Sequence, residues 1–270
     1  MITPRFLEKN AVLCYNNGVN RIFYTILFFE VAKLEKKNIN NLNRPAWFRF
    51  VKGFLKIFVR KPKFKFNGRA FSANEEPFII LSNHVGASAP IMYELYLDVP
   101  FRYWGAHEMT LGLKSAYRYL STIYLHQKKH YPKVLAKIVA FIICPFVNLF
   151  YKGIDLIPTY TDPRFRKTIR ESAADMDKGN NLVIFPENSS DGYHDVLSSF
   201  LAGFAFFSKI LLQKGRDVTI YCTYYRKKDR TVIVSEPVRF SELCGGDVDN
   251  ADIRLIAKEL CDKTNALAEQ

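Results

Sequence analysis

The sequence predicts an α/β protein: a mostly central sheet flanked by helices, preceded by a helical, basic amphipathic N-terminal region. From about residue 78 onward, short apolar runs typical of strands alternate with longer segments typical of helices. The strand-like runs are residues 78–81, 101–104, 154–158, 181–185, 218–225 and 231–235. The helix-like segments are residues 90–97, 113–150, 164–178, 196–213 and 251–268. This alternation indicates a sheet whose faces are covered by helices.

The composition is that of a folded globular chain with an excess of positive charge. Hydrophobic residues make up 49% and charged residues 24% of the 270, which argues against a disordered chain and against one wholly embedded in a membrane. The formal net charge of +13 favours an anionic partner: a membrane surface, an acidic ligand or protein, or nucleic acid. Five widely spaced cysteines without a C-x-x-C pair indicate reduced thiols. We expect no signal peptide at the N-terminus.

A helix predicted at residues 45–60 is amphipathic, with a polar face that is basic throughout. Its apolar face carries large side chains at steps of three and four residues: Trp47, Val51, Phe54 and Phe58. The opposite face carries Arg49, Lys52, Lys56 and Arg60. Three interpretations stay open: a helix on a membrane surface, a helix packed on its own domain, or a nucleic-acid-binding helix. The last is disfavoured because no helix-turn-helix, zinc-finger or RNA-recognition signature is present.

A second apolar feature is the uncharged run of 14 residues at 138–151, which Pro145 and Asn148 interrupt. A spanning helix needs about 20 apolar residues. The run therefore predicts either a buried helix or a shallow insertion into the membrane interface.

Two polar stretches directly follow strand-like runs. The first, SNHVGASAP at residues 82–90, contains Asn83 and His84. The second follows Phe185 and consists of Pro186, Glu187, Asn188, Ser189, Ser190 and Asp191. Loops at the carboxyl ends of strands are where α/β proteins hold their ligands, so both stretches are candidate site segments. Either one alone is also typical of a structural turn.

Together and in this order, these stretches resemble the motifs of the glycerolipid, or lysophospholipid, acyltransferase family, typified by the 1-acylglycerol-3-phosphate acyltransferases. The family carries NH-x-x-x-x-D, then a G-x-x-x-I-P-like motif, then FPEG-[ST]-R, then an apolar strand. Asn83 and His84 match the first motif, GIDLIP at 153–158 the second, and FPE at 185–187 the third. The run at 218–225 stands where the fourth belongs, and IVSEPVRF at 233–240 also resembles the family. The resemblance covers roughly residues 65–240.

The resemblance implies a role for each matched residue. His84 is the expected general base, which takes the proton of the acceptor hydroxyl, and imidazole is suited to this step. Glu187 is the second catalytic candidate and is expected to position the acceptor. The expected substrate-binding residues are Asn83, Pro186, Asn188, Ser189, Ser190 and Asp191. The acyl donor is expected to be acyl-CoA or acyl carrier protein as co-substrate, and neither a cofactor nor a metal is implied.

The sequence departs from the family pattern at three positions. Ala89 stands where the motif has the aspartate that orients the histidine. Ser190 and the residues after Pro158 stand where the family has arginines that hold the acceptor phosphate. The candidate substitutes for the aspartate are Glu94, Glu108, Glu187 and Asp191, the last two being preferred. The candidate substitutes for the arginines are Arg164, Arg166 and Arg170.

The sequence therefore predicts an O-acyltransferase of phospholipid biosynthesis, acting at the cytoplasmic face of a membrane as a peripheral or monotopic protein. The alternative is a lipid-binding relative with impaired catalysis, which Ala89 favours. Expected partners are an anionic membrane surface, a lysolipid acceptor and the acyl donor, but not nucleic acid. The predicted divisions are a membrane-association region at 1–64, the acyltransferase domain at 65–240 with a helical insertion at about 113–150, and a C-terminal helix at 241–270. The insertion is expected either to cover the acyl chain or dock on the bilayer, or to form a simple hairpin on the sheet.

Overall fold

The computed structural model describes residues 44–72, 75–189 and 192–270. The predictions for residues 1–43, and those for Ser190 and Asp191, therefore lie outside the described residues. Helices and strands are numbered in chain order within the described ranges.

Within those ranges, the fold is built on one sheet of eight strands flanked by helices, which confirms the predicted α/β class. The strands are β1 (Lys63–Phe66), β2 (Ile79–Ser82), β3 (Phe101–Ala106), β4 (Ile157–Thr159), β5 (Asn181–Ile184), β6 (Thr219–Arg226), β7 (Thr231–Val234) and β8 (Val238–Arg239). Their order is β1-β7-β6-β2-β5-β3-β4, and β8 pairs with β6. The sequence analysis missed β1 and β8, because both are short and contain basic residues instead of an apolar run.

Strand β2 occupies the centre of the sheet. All four of its residues are buried, as expected for a parallel strand that is covered on both faces. Leu81 pairs with Ile184 of β5 on one side and with Cys222 of β6 on the other, and all three strands run parallel. The carboxyl ends of β2, β5 and β6 therefore lie side by side, and the loops that leave them meet at one edge.

The helices of the described chain confirm most of the predicted segments. They are α1 (Ala46–Phe58), α2 (Ser88–Tyr96), α3 (Leu113–Arg118), α4 (Lys133–Ile154), α5 (Phe165–Met176), α6 (Gly203–Gln213), α7 (Phe240–Leu243) and α8 (Ile253–Ala266). A π-helical segment, Tyr119–Lys128, joins α3 to the turn before α4, so the predicted span at 113–150 is divided into three helical pieces. The segment predicted from residue 196 becomes helical only at Gly203.

One face of the sheet, called the closed face below, is covered by α5, α6 and α8. Its core contains Phe204 and Phe207 from α6, Leu260 from α8 and Met176 from α5, all of them buried. Burial of one such side chain contributes roughly 1.5–3 kcal/mol relative to its exposure. These helices have the usual arrangement, in which large apolar residues point at the sheet.

The other face, called the open face, is covered by α1, α2 and the C-terminal end of α4. The rest of α4 packs on α3 and the π-helical segment, and this longest helix has the opposite arrangement. Small or polar residues of α4 are buried at four-residue steps: Ala136, Ala140, Cys144 and Asn148. Its large apolar residues point outward: Val134, Leu135, Ile138, Phe141, Ile142, Phe146 and Leu149. Phe141 is 76% exposed. The helix thus presents an apolar stripe away from the protein.

Helix α4 runs without a break through Pro145. By length and composition alone, it is long and apolar enough to cross a membrane, with a mean hydropathy of 2.1 over a window of which 22% is buried. No other helix of the described ranges meets that test.

Helix α1 exposes most of its predicted apolar face. Trp47, Phe54 and Phe58 are exposed, whereas Val51 is half-buried against the core of the open face, so this apolar face packs on its own domain only in part. Lys52, expected on the solvated basic face, is instead fully buried. Phe48 is fully buried and packs so closely on α4 that its ring leaves no room for a Cβ on Gly153.

Lys52 is buried because it belongs to an ion cluster between α1 and α2. Its Nζ lies 2.9 Å from Oε1 of Glu94. The Arg44 guanidinium donates to both Glu94 oxygens, at 3.0 and 2.9 Å. The bidentate pair and the Lys52 ammonium stabilise each other around one buried carboxylate, and they add an ionic connection between α1 and α2 to the apolar packing of Phe48.

Candidate active site

The two polar stretches meet because β2 and β5 are parallel neighbours. His84 follows the end of β2, and Glu187 follows the end of β5. The backbone N–H of His84 donates a 3.0 Å hydrogen bond to Oε2 of Glu187. The loop that holds the histidine is therefore fixed to the loop after β5.

Glu187 acts as a clamp between main-chain segments. It is only 8% exposed, and it also accepts a hydrogen bond from the backbone N–H of His194. Burial raises the pKa of the Glu187 carboxyl, while these two N–H groups and the nearby Lys128 ammonium act in the opposite direction. Glu187 contacts the main chain of His84, so it fixes the loop and not the orientation of the imidazole ring.

The imidazole of His84 is oriented by a backbone carbonyl. Its Nδ1 forms a hydrogen bond with the carbonyl oxygen of Gly86. A carbonyl can only accept, so Nδ1 carries the proton and Nε2 keeps its lone pair. The ring centroid lies 4.9 Å from that of Phe185 and 5.1 Å from that of Tyr193. Burial lowers the pKa of His84 to about 4, with further lowering by Lys128 and Lys129, so the ring is neutral at pH 7.

A left-handed turn brings that carbonyl to the ring. Gly86 has φ +64°, which costs glycine nothing, and Val85 has φ +45°, which is uncommon for a β-branched residue. Strained backbone of this kind costs about 1–3 kcal/mol and tends to cluster at functional sites. Ala89, at the position of the missing aspartate, is fully buried in the apolar core of the open face. Among the described residues, the main chain therefore takes the place of a carboxylate at Nδ1.

The other carboxylates considered as substitutes have partners elsewhere. Glu94 is held in the ion cluster with Arg44 and Lys52. Glu108 lies 3.2 Å from Nδ1 of the neighbouring His107. Asp191 lies outside the described residues, so its proposed role as a substitute stays a prediction.

Of the remaining predicted site residues, three hold the loops in place through main-chain hydrogen bonds, and one faces the site. The Asn83 side chain accepts from the Tyr225 N–H at 2.7 Å and donates to the Tyr225 carbonyl at 3.0 Å, which fastens the end of β2 to β6. Pro186 is buried, and its carbonyl accepts from the Leu201 N–H. The exposed Asn188 is held through its N–H, which donates to the Ser199 carbonyl. Ser189 faces the site, since its hydroxyl lies 2.6 Å from the Lys128 ammonium.

Lys128 and Lys129 are site residues that the sequence analysis missed. Their ammonium groups lie 5.5 and 5.3 Å from the centroid of the Tyr193 ring, which itself lies against His84. Arg164, considered as a phosphate-binding substitute, is instead bound to Asp162 and stacked on Tyr160. The signal in the sequence was the pair of adjacent lysines, but spacing alone does not reveal that a π-helical segment brings them to His84.

An apolar cavity of about 560 Å³ opens beside His84. Its walls come from α1, α2, β3, α4 and the π-helical segment, and its lining includes Trp47, Ile91, Tyr103, Leu120, Phe146 and Phe185. This volume lies within the roughly 300–1,000 Å³ typical of small-molecule sites. Trp47 and Phe146 also belong to the exposed apolar surface of the open face, so the cavity and that surface are continuous.

Neither a metal cluster nor a disulfide is found within the described ranges. No group of three or more His, Cys, Asp or Glu side chains is arranged there to hold a metal ion. Cys144, Cys222, Cys244 and Cys261 are free thiols, and burial raises the pKa of each of them.

Comparison with known proteins gives matches among solved structures only. No protein-family model matches the sequence, and no curated protein matches it. Among solved structures, the crystal structure of the 1-acyl-sn-glycerophosphate (LPA) acyltransferase PlsC from Thermotoga maritima is similar, with 13% sequence identity and a TM-score of 0.43. The alignment covers 98% of this chain and 86% of that one. At this identity and TM-score the similarity carries no conclusion about chemistry.

Proposed function

We propose that the chain is a glycerolipid acyltransferase that moves a fatty acyl group from acyl-CoA or acyl carrier protein to a hydroxyl of a lysophospholipid or related glycerolipid. The observation that carries this proposal is the position of His84 at a 560 Å³ apolar cavity. The reaction needs a neutral base where the hydroxyl meets the thioester, and an apolar volume for the acyl chain. Both requirements are met at one place.

In the proposed reaction, Nε2 of His84 takes the proton of the acceptor hydroxyl as its oxygen attacks the thioester carbonyl. Backbone N–H groups at the start of α2 stabilise the resulting oxyanion. The intermediate then collapses, the carbon–sulfur bond breaks, and the leaving thiolate takes the proton from the imidazolium. The products are an ester and a free thiol, and His84 returns to its neutral form.

The Gly86 carbonyl has the orienting role in this proposal. Its hydrogen bond with Nδ1 selects the tautomer in which Nε2 is free to accept a proton. Glu187 contributes by fixing the His84 loop through the main chain. A carbonyl is a weaker partner for an imidazolium than a carboxylate, so we expect a functional but slower base.

We also propose that the open face binds the cytoplasmic surface of an anionic membrane, peripherally or as a monotopic protein. The exposed apolar stripe of α4 is flanked by the exposed basic residues Lys133, Lys137 and Lys152. Apolar side chains with lysines beside them are typical of interfacial helices. Since the cavity is continuous with this surface, an acyl chain can enter it from the bilayer.

The test is acyl transfer from labelled acyl-CoA and acyl carrier protein to a panel of lysolipids in vesicles, comparing the wild type with His84→Ala. We expect a loss of about 10²-fold or more in turnover, because general-base catalysis typically contributes that much. His126→Ala is the matched control, since that imidazole bonds the Tyr131 carbonyl and does not line the cavity. Wild-type activity in His84→Ala would contradict the proposal.

The second candidate is a lipid-binding protein without turnover, which Ala89 favours because it leaves no carboxylate at the usual position. This candidate predicts that a fluorescent fatty acid binds the wild type and His84→Ala equally well while neither transfers an acyl group. The transfer assay and this binding assay together separate the two candidates.

A further inference from the structure

Two lysine ammonium groups converge on one tyrosine ring beside His84. Lys128 ends the π-helical segment, and Lys129 directly follows it. Both ammonium groups lie within 5.5 Å of the Tyr193 ring centroid. The Lys129 ammonium also lies over the turn that holds His84, since a Cβ on Gly86 would be 3.2 Å from its Nζ.

The charges around this pair do not balance among the described residues. The described partners of Lys128 are the Ser189 hydroxyl and the Tyr193 ring, and that of Lys129 is the same ring. Within the described ranges, no carboxylate lies within ion-pair distance of either ammonium group. Glu187 acts on Lys128 from further away. Among the described residues, the negative charge near these two cations is therefore less than their positive charge.

The partial burial of Lys128 indicates that this excess of positive charge can bind an anion. Lys128 is half-buried, and loss of water around its ammonium lowers its pKa. A cation that has lost part of its hydration is stabilised by an anion that donates nothing and accepts several hydrogen bonds. A phosphate group fits this description, with oxygens for both ammonium groups and for the Ser189 hydroxyl.

We propose that Lys128 and Lys129 bind the phosphate group of the acceptor lipid. This assignment rests on the proposed acyltransferase function and narrows the acceptor to a phosphate-bearing lipid. The lysines take the place of the guanidinium groups that the sequence lacks, and they come from the helical insertion instead of the strand loops.

The distance between the phosphate and the reacting group in each substrate indicates that the lysines bind the phosphate of the acceptor and not that of the donor. His84 and both lysines contact the same Tyr193 ring, so a phosphate held there lies only a few bonds from a hydroxyl at Nε2. In a glycerol phosphate the hydroxyl and phosphate are separated by the glycerol carbons alone. In a coenzyme A or carrier-protein thioester, the whole pantetheine arm separates the reacting carbonyl from the nearest phosphate.

Acceptor binding would also act on the base. His84 faces Lys128, Lys129, Tyr193 and Glu187, and both lysines lower its pKa. A bound phosphate offsets those two positive charges, so the pKa of His84 rises when the acceptor is present. The imidazole becomes a stronger base only once the substrate is in place.

The experiment compares the double variant Lys128→Gln/Lys129→Gln with the matched control Lys227→Gln/Lys228→Gln. The control removes an adjacent, exposed lysine pair from the turn between β6 and β7, with the same change in net charge. The first readout is binding of sn-glycerol 3-phosphate and inorganic phosphate to the full chain in detergent, by calorimetry. We expect the double variant to lose about 10-fold or more in affinity and the control to stay unchanged, since the double variant removes both charge-assisted hydrogen bonds to the phosphate.

The second readout separates the sources of the phosphate. In the transfer assay, we expect the double variant to raise KM for a lysophospholipid, with no change in KM for a monoacylglycerol or for acyl-CoA. Unchanged phosphate binding in the double variant would overturn the proposal, and so would a rise in KM for acyl-CoA instead of the acceptor. If the wild type transfers no acyl group at all, the proposed function fails, and the calorimetry still decides the phosphate site by itself.

Discussion

The closed and open faces of the sheet differ in the direction in which their helices point large apolar residues. On the closed face, α6 buries Phe204, Phe207 and Leu211 against the sheet. On the open face, α4 buries Ala136, Ala140 and Cys144 and turns Phe141 and Phe146 outward. Both helices are strongly apolar, so their difference lies in which side chains meet the protein.

We propose that this difference reflects two environments: water at the closed face and lipid at the open face. Small residues let the backbone of α4 approach its neighbours closely, as in helix packing within membranes. Large apolar residues on the outer side are costly in water, because exposed apolar patches of this extent are uncommon on soluble monomers. Both features support the proposal that the open face contacts lipid while the closed face meets water.

The largest expected effect is on the ion cluster that attaches α1 to α2 on the open face. Glu94→Gln leaves the cations of Arg44 and Lys52 buried without their carboxylate, so the free energy of unfolding should fall by about 3–5 kcal/mol. Urea unfolding of the full chain measures this. Asp162→Asn is the control, since its pair with Arg164 is on the surface and should matter little. Equal changes in both variants would show that α1 does not depend on the ion cluster.

The second-largest expected effect is on binding to anionic vesicles, and it tests directly whether lipid contacts the open face and not the closed face. Phe141→Ser should weaken binding to anionic vesicles by about 10- to 150-fold, because burial of one large apolar side chain is worth roughly 1.5–3 kcal/mol. Leu255→Ser, at an exposed position of the closed face, should leave vesicle binding unchanged. Vesicle sedimentation measures both. A similar loss in the two variants would remove the distinction between the faces.

The alternation of strands and helices was predictable, and so was the meeting of the two polar stretches. The central strands β2 and β5 are fully buried and mostly apolar, and parallel strands bring the loops that follow them to one edge of the sheet. That argument is enough to place His84 near Glu187. The orientation of α1 was not predictable, because periodicity defines an apolar face but not which solvent that face meets.

The finer geometry of the site depends on backbone conformations that the sequence leaves open. The carbonyl that orients His84 reaches the ring only because Val85 and Gly86 both adopt positive φ. A glycine favours such a turn, but positive φ is uncommon for a valine, so the sequence does not predict it at Val85. Lys128 reaches the site through a π-helical segment, whose register differs from the α-helix that the pattern at 113–150 suggests.

The smallest expected effect is a shift in the pH dependence of kcat/KM. It tests whether the apolar environment of the open face extends as far as His84 at the edge of the sheet. Burial lowers the pKa of His84 to about 4, so kcat/KM for a neutral acceptor should stay constant well below pH 6.5 and fall only as the imidazole becomes protonated. Lys128→Gln removes a charge that lowers this pKa, so the acid limb should move to higher pH. The shift should be small, because burial is the larger cause.

Lys228→Gln is the control for this measurement and should leave the acid limb in place, since that lysine lies in the exposed β6–β7 turn. An acid limb at or above pH 6.5 in the wild type would mean that water reaches the ring freely. The apolar environment of the open face would then end before His84, and the base would have to work in water while the acyl chain lies in the cavity.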